Sequence, residues 1–169
     1  MQGSGGYVEG RSTSRDEIKK QNEHVKAWLW RYREARKDVR RWEEELAELV
    51  GMQESAGAIR YSDMPKGGGG QVDLSDEMVE REKLWRKIQK ARYKRIRVFA
   101  EIKNAIERLP TADEREVMSY RYLELMSWED ICVIVSLSWR QTHYIHSRAL
   151  ENIKEYVILR KSVDIRNNT

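Results

Sequence analysis

Cysteine is nearly absent from this chain of 169 residues, and so are proline, phenylalanine and any long apolar run. The single thiol, Cys132, excludes an internal disulfide and a thiolate metal cluster. It stands among Ile131, Val133, Ile134 and Val135, where a free cysteine is expected to be a small buried hydrophobe. With only Pro65 and Pro110 to interrupt the backbone, long helices are permitted. No apolar stretch approaches the roughly 20 residues that a membrane span requires. The opening segment MQGSGGYVEGRSTS has no apolar h-region and predicts no signal peptide, so a cytoplasmic protein without a membrane partner is expected. Charge of one sign is scarce as well. The 32 basic and 28 acidic residues leave a net +4, too small an excess to identify a nucleic-acid partner by itself.

What is abundant is mixed charge and amphipathic aromatics, with six tryptophans and eight tyrosines against one phenylalanine. Such rings belong at helix seams or on binding surfaces. Residues 1–14 are expected to be disordered. Ser14 with Glu17 three positions on has the spacing of a capping box. From there the apolar residues Ile18, Val25, Trp28, Tyr32, Ala35, Val39, Trp42, Leu46 and Leu49 recur at steps of three and four, with Gln21 out of pattern. About five heptads of this kind predict one long helix with a packing seam. At 1.5 Å per residue it would exceed about 50 Å and needs a partner helix.

Residues 54–73 break the period. Met64-Pro65-Lys66 and then Gly67, Gly68, Gly69 and Gly70 read as a flexible loop. It lacks the Gly-Lys-Ser/Thr ending of a phosphate cradle, and no buried strand precedes it. A second long helix follows, with the seam Leu84, Ile88, Ala91, Val98, Ile102, Ala105 and Leu109. Arg95 is its misfit, and Trp85, Phe99 and Ile106 are expected to widen it. The simplest arrangement for residues 15–109 is a long antiparallel, coiled-coil-like helical hairpin, with pairing between two chains left open as a homodimer. Within it, residues 86–97 (RKIQKARYKRIR) hold seven basic residues and no acid. A solvated face is the plain reading. A flank in which Lys87, Lys90 and Lys94 make secondary phosphate contacts is the functional one.

Pro110 ends this helix, and three capping signals follow it closely. Thr111 precedes a helix with Glu114 at the reciprocal position and Val117, Met118 and Tyr122 facing inward. Ser127 precedes a short second helix, with Asp130 three residues on and Ile131, Ile134 and Val135 inward. Ser138 precedes a third, matched by Gln141, with the stripe Thr142, Ile145, Ala149, Leu150 and Ile153. A short middle helix and a three-residue turn predict a C-terminal helix-turn-helix over residues 110–160. The fold class expected for the chain is therefore all-α, with residues 161–169 as a flexible tail.

The segment MSWEDICVIVSLSWRQTHYIHSRALENI resembles the region 4 helix-turn-helix of bacterial sigma factors. Ser127, Glu129, Asp130, Ile131, Ser138, Arg148, Ala149 and Leu150 fall into that pattern without a gap, and Arg121-Tyr122-Leu123 matches its first helix. Cys132 replaces the usual alanine and Ser136 the usual turn glycine. The likeness covers roughly fifty residues, and no counterpart of a sigma region 2 precedes it. The layout, with the loop Ser62-Asp63-Met64-Pro65-Lys66-Gly67, resembles phage-encoded regulators of Gram-positive hosts, the late-operon activators of the RinA and ArpU type. That resemblance implies a sequence-specific transcription regulator of phage or prophage late genes that binds double-stranded DNA and acts with host RNA polymerase.

In such folds the third helix enters the major groove and its N-terminal residues meet base edges. The face opposite Thr142 and Ile145 is expected to present Trp139, Arg140, Gln141, His143, Tyr144 and Ser147. Arg140 is the candidate for a bidentate contact to guanine, and Trp139 for a thymine methyl, a sugar-phosphate contact or padding of the turn. Ser138 and Arg148 are read as phosphate anchors. His143 and His146 lie three apart on one helix but make an incomplete metal site. No nucleophile, base and orienting group occur together, and His24 has no such partners, so neither catalysis nor a cofactor is expected. Two alternatives stand beside the regulator: a phage packaging component akin to a small terminase subunit, and a coiled-coil adaptor whose helix-turn-helix binds protein.

Overall fold

The computed structural model describes the backbone of residues 9–59 and 74–166, and the side chains of residues 17–55 and 78–158. Among the described residues the chain is all-helical and has no strand. Its helices are α1 (Glu9–Leu29), α2 (Arg31–Ile59), α3 (Leu74–Glu107), α4 (Ala112–Tyr122), α5 (Trp128–Ile134) and α6 (Trp139–Arg166). None is long and apolar enough to cross a membrane.

Several boundaries differ from the sequence reading. Helix α1 begins at Glu9, so Ser14 lies inside it rather than at its cap. The long first helix is two, parted at Trp30 although the Trp30 N–H still reaches the Lys26 carbonyl at 2.9 Å. Helix α2 runs to Ile59, past the expected start of the loop, and α6 runs to Arg166, through most of the expected tail. The glycine run and the Ser62–Gly67 loop lie outside the described residues.

The chain divides into two compact units, and the division is not at Pro110. One unit comprises residues 34–98, the other residues 1–33 together with 99–169. The physical reason lies in the seam. Its N-terminal part buries Val25 and Leu29 and its later part buries Ala35 and Val39, so the single stripe is in fact two.

In the 34–98 unit, side chains of α2 and α3 meet. Ala35 and Val39 on one side and Leu84, Ile88, Ala91 and Val98 on the other are buried, as the three-four spacing requires. Lys94 reaches Asp38 at 3.2 Å, and Arg92 reaches Glu43 at 2.5 Å. The ammonium of Lys87 sits 4.4 Å from the centre of the Trp42 ring. Trp85, expected to widen the seam, is exposed instead.

In the other unit Ile102, Ala105 and Ile106 in the last turns of α3, and Leu109 just beyond it, are buried, as are Val25 and Leu29 of α1. Helix α6 presents Thr142, Ile145, His146, Ala149, Leu150, Ile153 and Val157, a continuous buried stripe of a single amphipathic helix. Along that stripe α6 packs on α1, α4 and α5. The Trp28 and Tyr156 rings meet edge-on, 6.3 Å apart.

Candidate nucleic-acid interface

Three capped starts and two tight turns place α4, α5 and α6. The Thr111 hydroxyl accepts from the Glu114 N–H at 3.3 Å, and Ser127 accepts from Asp130 at 3.1 Å. At α6 the box is reciprocal: Ser138 Oγ accepts from the Gln141 N–H, and the Gln141 side-chain oxygen accepts from the Ser138 N–H at 3.1 Å. Between α5 and α6, Ser136 takes φ 54° in the left-handed region. The Leu137 N–H reaches the Cys132 carbonyl and the Ser136 N–H the Val133 carbonyl, the paired bonds of a Schellman turn. Ser136 thus holds the conformation that the resemblance assigns to glycine. Beneath the turn Val117, Ile131 and Ile145 form a small core, with Tyr120, Met126, Trp128, Val135 and Leu137 packed against it.

This arrangement opens one face of α6. Trp139, Arg140 and Tyr144 are exposed, and Ser147 follows one turn later. Arg140, Tyr144 and Ser147 repeat at steps of four and three, so they share a stripe. The Ser147 hydroxyl donates to the His143 carbonyl at 2.9 Å and retains its acceptor capacity. Ser138 and Gln141, both exposed, are engaged in the cap. Beside this face, at the end of α5, Val133 and Ile134 are also exposed, so Ile134 does not point inward as its spacing suggested. Cys132 is half-buried, with its sulfur 3.4 Å from the Thr142 hydroxyl.

Two candidates, His143 from the open face and Arg148 from the phosphate anchors, are held within the fold. His143 is half-buried between two indoles, 4.3 Å from Trp128 and 4.7 Å from Trp139 by ring centres. Its Nε2 is buried without a hydrogen-bond partner. The ring therefore positions Trp139 rather than reading a base. Arg148 directs Nε to Glu114 Oε1 at 2.5 Å and Nη2 to the Thr111 hydroxyl at 3.3 Å. Glu114 is wholly buried and also accepts from Asn152 at 3.0 Å. So Glu114 does not close a capping box with its side chain, and Arg148 is an internal counter-ion before it is anything else.

A second cluster lies behind the face. The Tyr122 hydroxyl is 3.0 Å from His146 Nε2, and Trp128 meets the His146 ring edge-on at 4.9 Å. The Arg121 guanidinium lies over both Trp30 and Trp128, within about 5 Å of each ring. Burial holds the His146 imidazole well below its ordinary range, at about 4, with Lys26, His143 and Arg121 adding repulsion. Burial likewise pushes the Tyr122 hydroxyl upward. Spacing alone did not disclose this cluster, because its members come from α1, α4, α5 and α6. The remaining candidates, Lys87, Lys90 and Lys94, belong to the 34–98 unit, where Lys90 is exposed and the other two face Trp42 and Asp38.

Residues 110–158 carry five basic and eight acidic side chains, a net −3. Comparison with known protein families, curated proteins and solved structures gives no match for the chain.

Proposed function

We propose that α5, the Ser136 turn and α6 act as a helix-turn-helix, that α2 and α3 act as a helical hairpin, and that the protein is a sequence-specific DNA-binding regulator. The observation that carries this reading is the open stripe of Trp139, Arg140, Tyr144 and Ser147 at the capped N-terminal end of α6. A guanidinium there suits bidentate pairing with guanine, and the flanking aromatics suit thymine methyls and the sugar-phosphate chain. The free amides of the first helical turn add donors for a phosphate. Because the segment is itself acidic, the basic run 86–97 supplies the sequence-independent part of the affinity. The resemblance to phage late-gene activators assigns the biological setting, with host RNA polymerase as a further partner. Exposed Val133 and Ile134 favour a second reading, in which the same surface docks a protein.

The test selects a site from random duplexes and titrates wild type and Arg140→Ala against that site and a scrambled one. Loss of Arg140 should cost about 1–3 kcal/mol on the selected site and relax preference at one base pair. Absence of any preference by the wild type at physiological salt would transfer the case to the protein-docking reading.

A further inference from the structure

Helix α3 has two apolar stripes and α2 covers only one. On its outer side Met78 is 66 % exposed, Trp85 57 %, Tyr93 70 % and Ile96 62 %. With Glu82, Gln89 and Arg92 these residues recur at steps of four and three, the period of a helix-packing seam. The seam that pairs α2 with α3 uses Leu84, Ile88 and Ala91 and is already closed. The outer stripe is therefore additional to the intramolecular contact.

Its charges are arranged end to end. Along this stripe Glu82 stands near one end and Arg92 near the other. Reversing the helix about its midpoint near Lys87 lays Met78 on Ile96, Glu82 on Arg92 and Trp85 on Gln89. The stripe is thus complementary to itself when turned round, and only when turned round: a parallel copy would set the basic run against the basic run.

We propose that the outer face of α3 binds a second copy of the chain, antiparallel, across a two-fold axis near Lys87. A two-fold contact uses the same patch on both partners, which is the condition this stripe meets. Aromatic, methionine and arginine side chains are the ones enriched in such contacts. Glu82 and Arg92 have partners within the chain, Arg86 at 2.7 Å and Glu43 at 2.5 Å, both at the surface, so the intermolecular pairs extend existing networks. The inference does not rest on the open face of α6, since every residue it uses lies in the 34–98 unit; it shares only the basic run 86–97 with the proposed phosphate contacts.

Sedimentation velocity of the full chain, over about 1 to 200 µM, reads the association directly. The mass should rise with concentration toward twice the 20.1 kDa of one chain, and added salt should oppose the rise. Trp85→Glu with Ile96→Glu should leave a monomer of unchanged helicity, because both side chains are exposed in a single chain. Glu82→Lys and Arg92→Glu, each alone, should weaken association about tenfold or more. An equimolar mixture of those two variants should restore it, because each altered end then faces its opposite charge. A monomer at every concentration overturns the proposal. So does a dimer indifferent to Trp85→Glu with Ile96→Glu, or a mixture that fails to recover.

Discussion

Glu114 has no exposure at all, yet it carries a carboxylate in the middle of a helical core. Arg148 and Asn152 are what make that tolerable, and both come from α6. Removing one partner of a buried ion pair leaves the other uncompensated, which costs far more than the pair contributes in water. Arg148→Ala should therefore lower stability, visible as a fall in Tm, where a phosphate contact would leave Tm unchanged. Restoring stability with Glu114→Leu in the same chain would identify the stranded carboxylate as the cause. His146 supplies a pH-dependent counterpart. Its pKa falls from an ordinary 6.5 to about 4 on folding, so the folded chain binds fewer protons between those values. The stability it contributes is complete above pH 6.5 and is lost as the pH falls toward 4, to a total of about 3 kcal/mol. Tm measured from pH 7 to 4 should fall more steeply for wild type than for His146→Leu. Parallel profiles would remove His146 from the account.

At the scale of elements, the turn before α6 rests on a residue poorly suited to it. Ser136 adopts φ 54°, a region that costs an L-residue about 1–2 kcal/mol, while glycine enters it freely but with more entropy to lose. Ser136→Gly should be neutral or stabilising by up to about 1 kcal/mol, and Ser136→Val should destabilise by about 1–3 kcal/mol, since a β-branched side chain fits that region worst. Equal melting temperatures for the two variants would mean that the turn relaxes to another conformation. These caps and turns were legible in the sequence because they are local. Thr111, Ser127 and Ser138 signal their helices through neighbours three residues away, and the stripes of α3 and α6 show in their period. The bounds of α1 and α2 were not legible, because Val25 and Trp28 continue a heptad whose partner changes at Trp30. Nor was the role of Arg148 or His143: one depends on a carboxylate 34 positions away, the other on two indoles from different helices. Arg140, exposed as its position predicted, needed only the burial of Thr142 and Ile145.

For the whole molecule, the order of the chain and the order of the packing disagree. The core that holds α6 in place includes Val25 and Leu29, buried in the same unit as Ile153 and Val157. The Trp28 and Tyr156 rings that meet there are separated by most of the polypeptide. During synthesis α1 leaves the ribosome first and then waits, its apolar side chains wet, while α2 and α3 can already close on each other. Contacts this distant in sequence carry a high loop-closure cost and form late. The unit carrying the candidate DNA-reading helix is therefore completed only after α6 has been made. A nascent chain that stops short of Ile153 leaves the α1 stripe uncovered and open to chaperones and proteases.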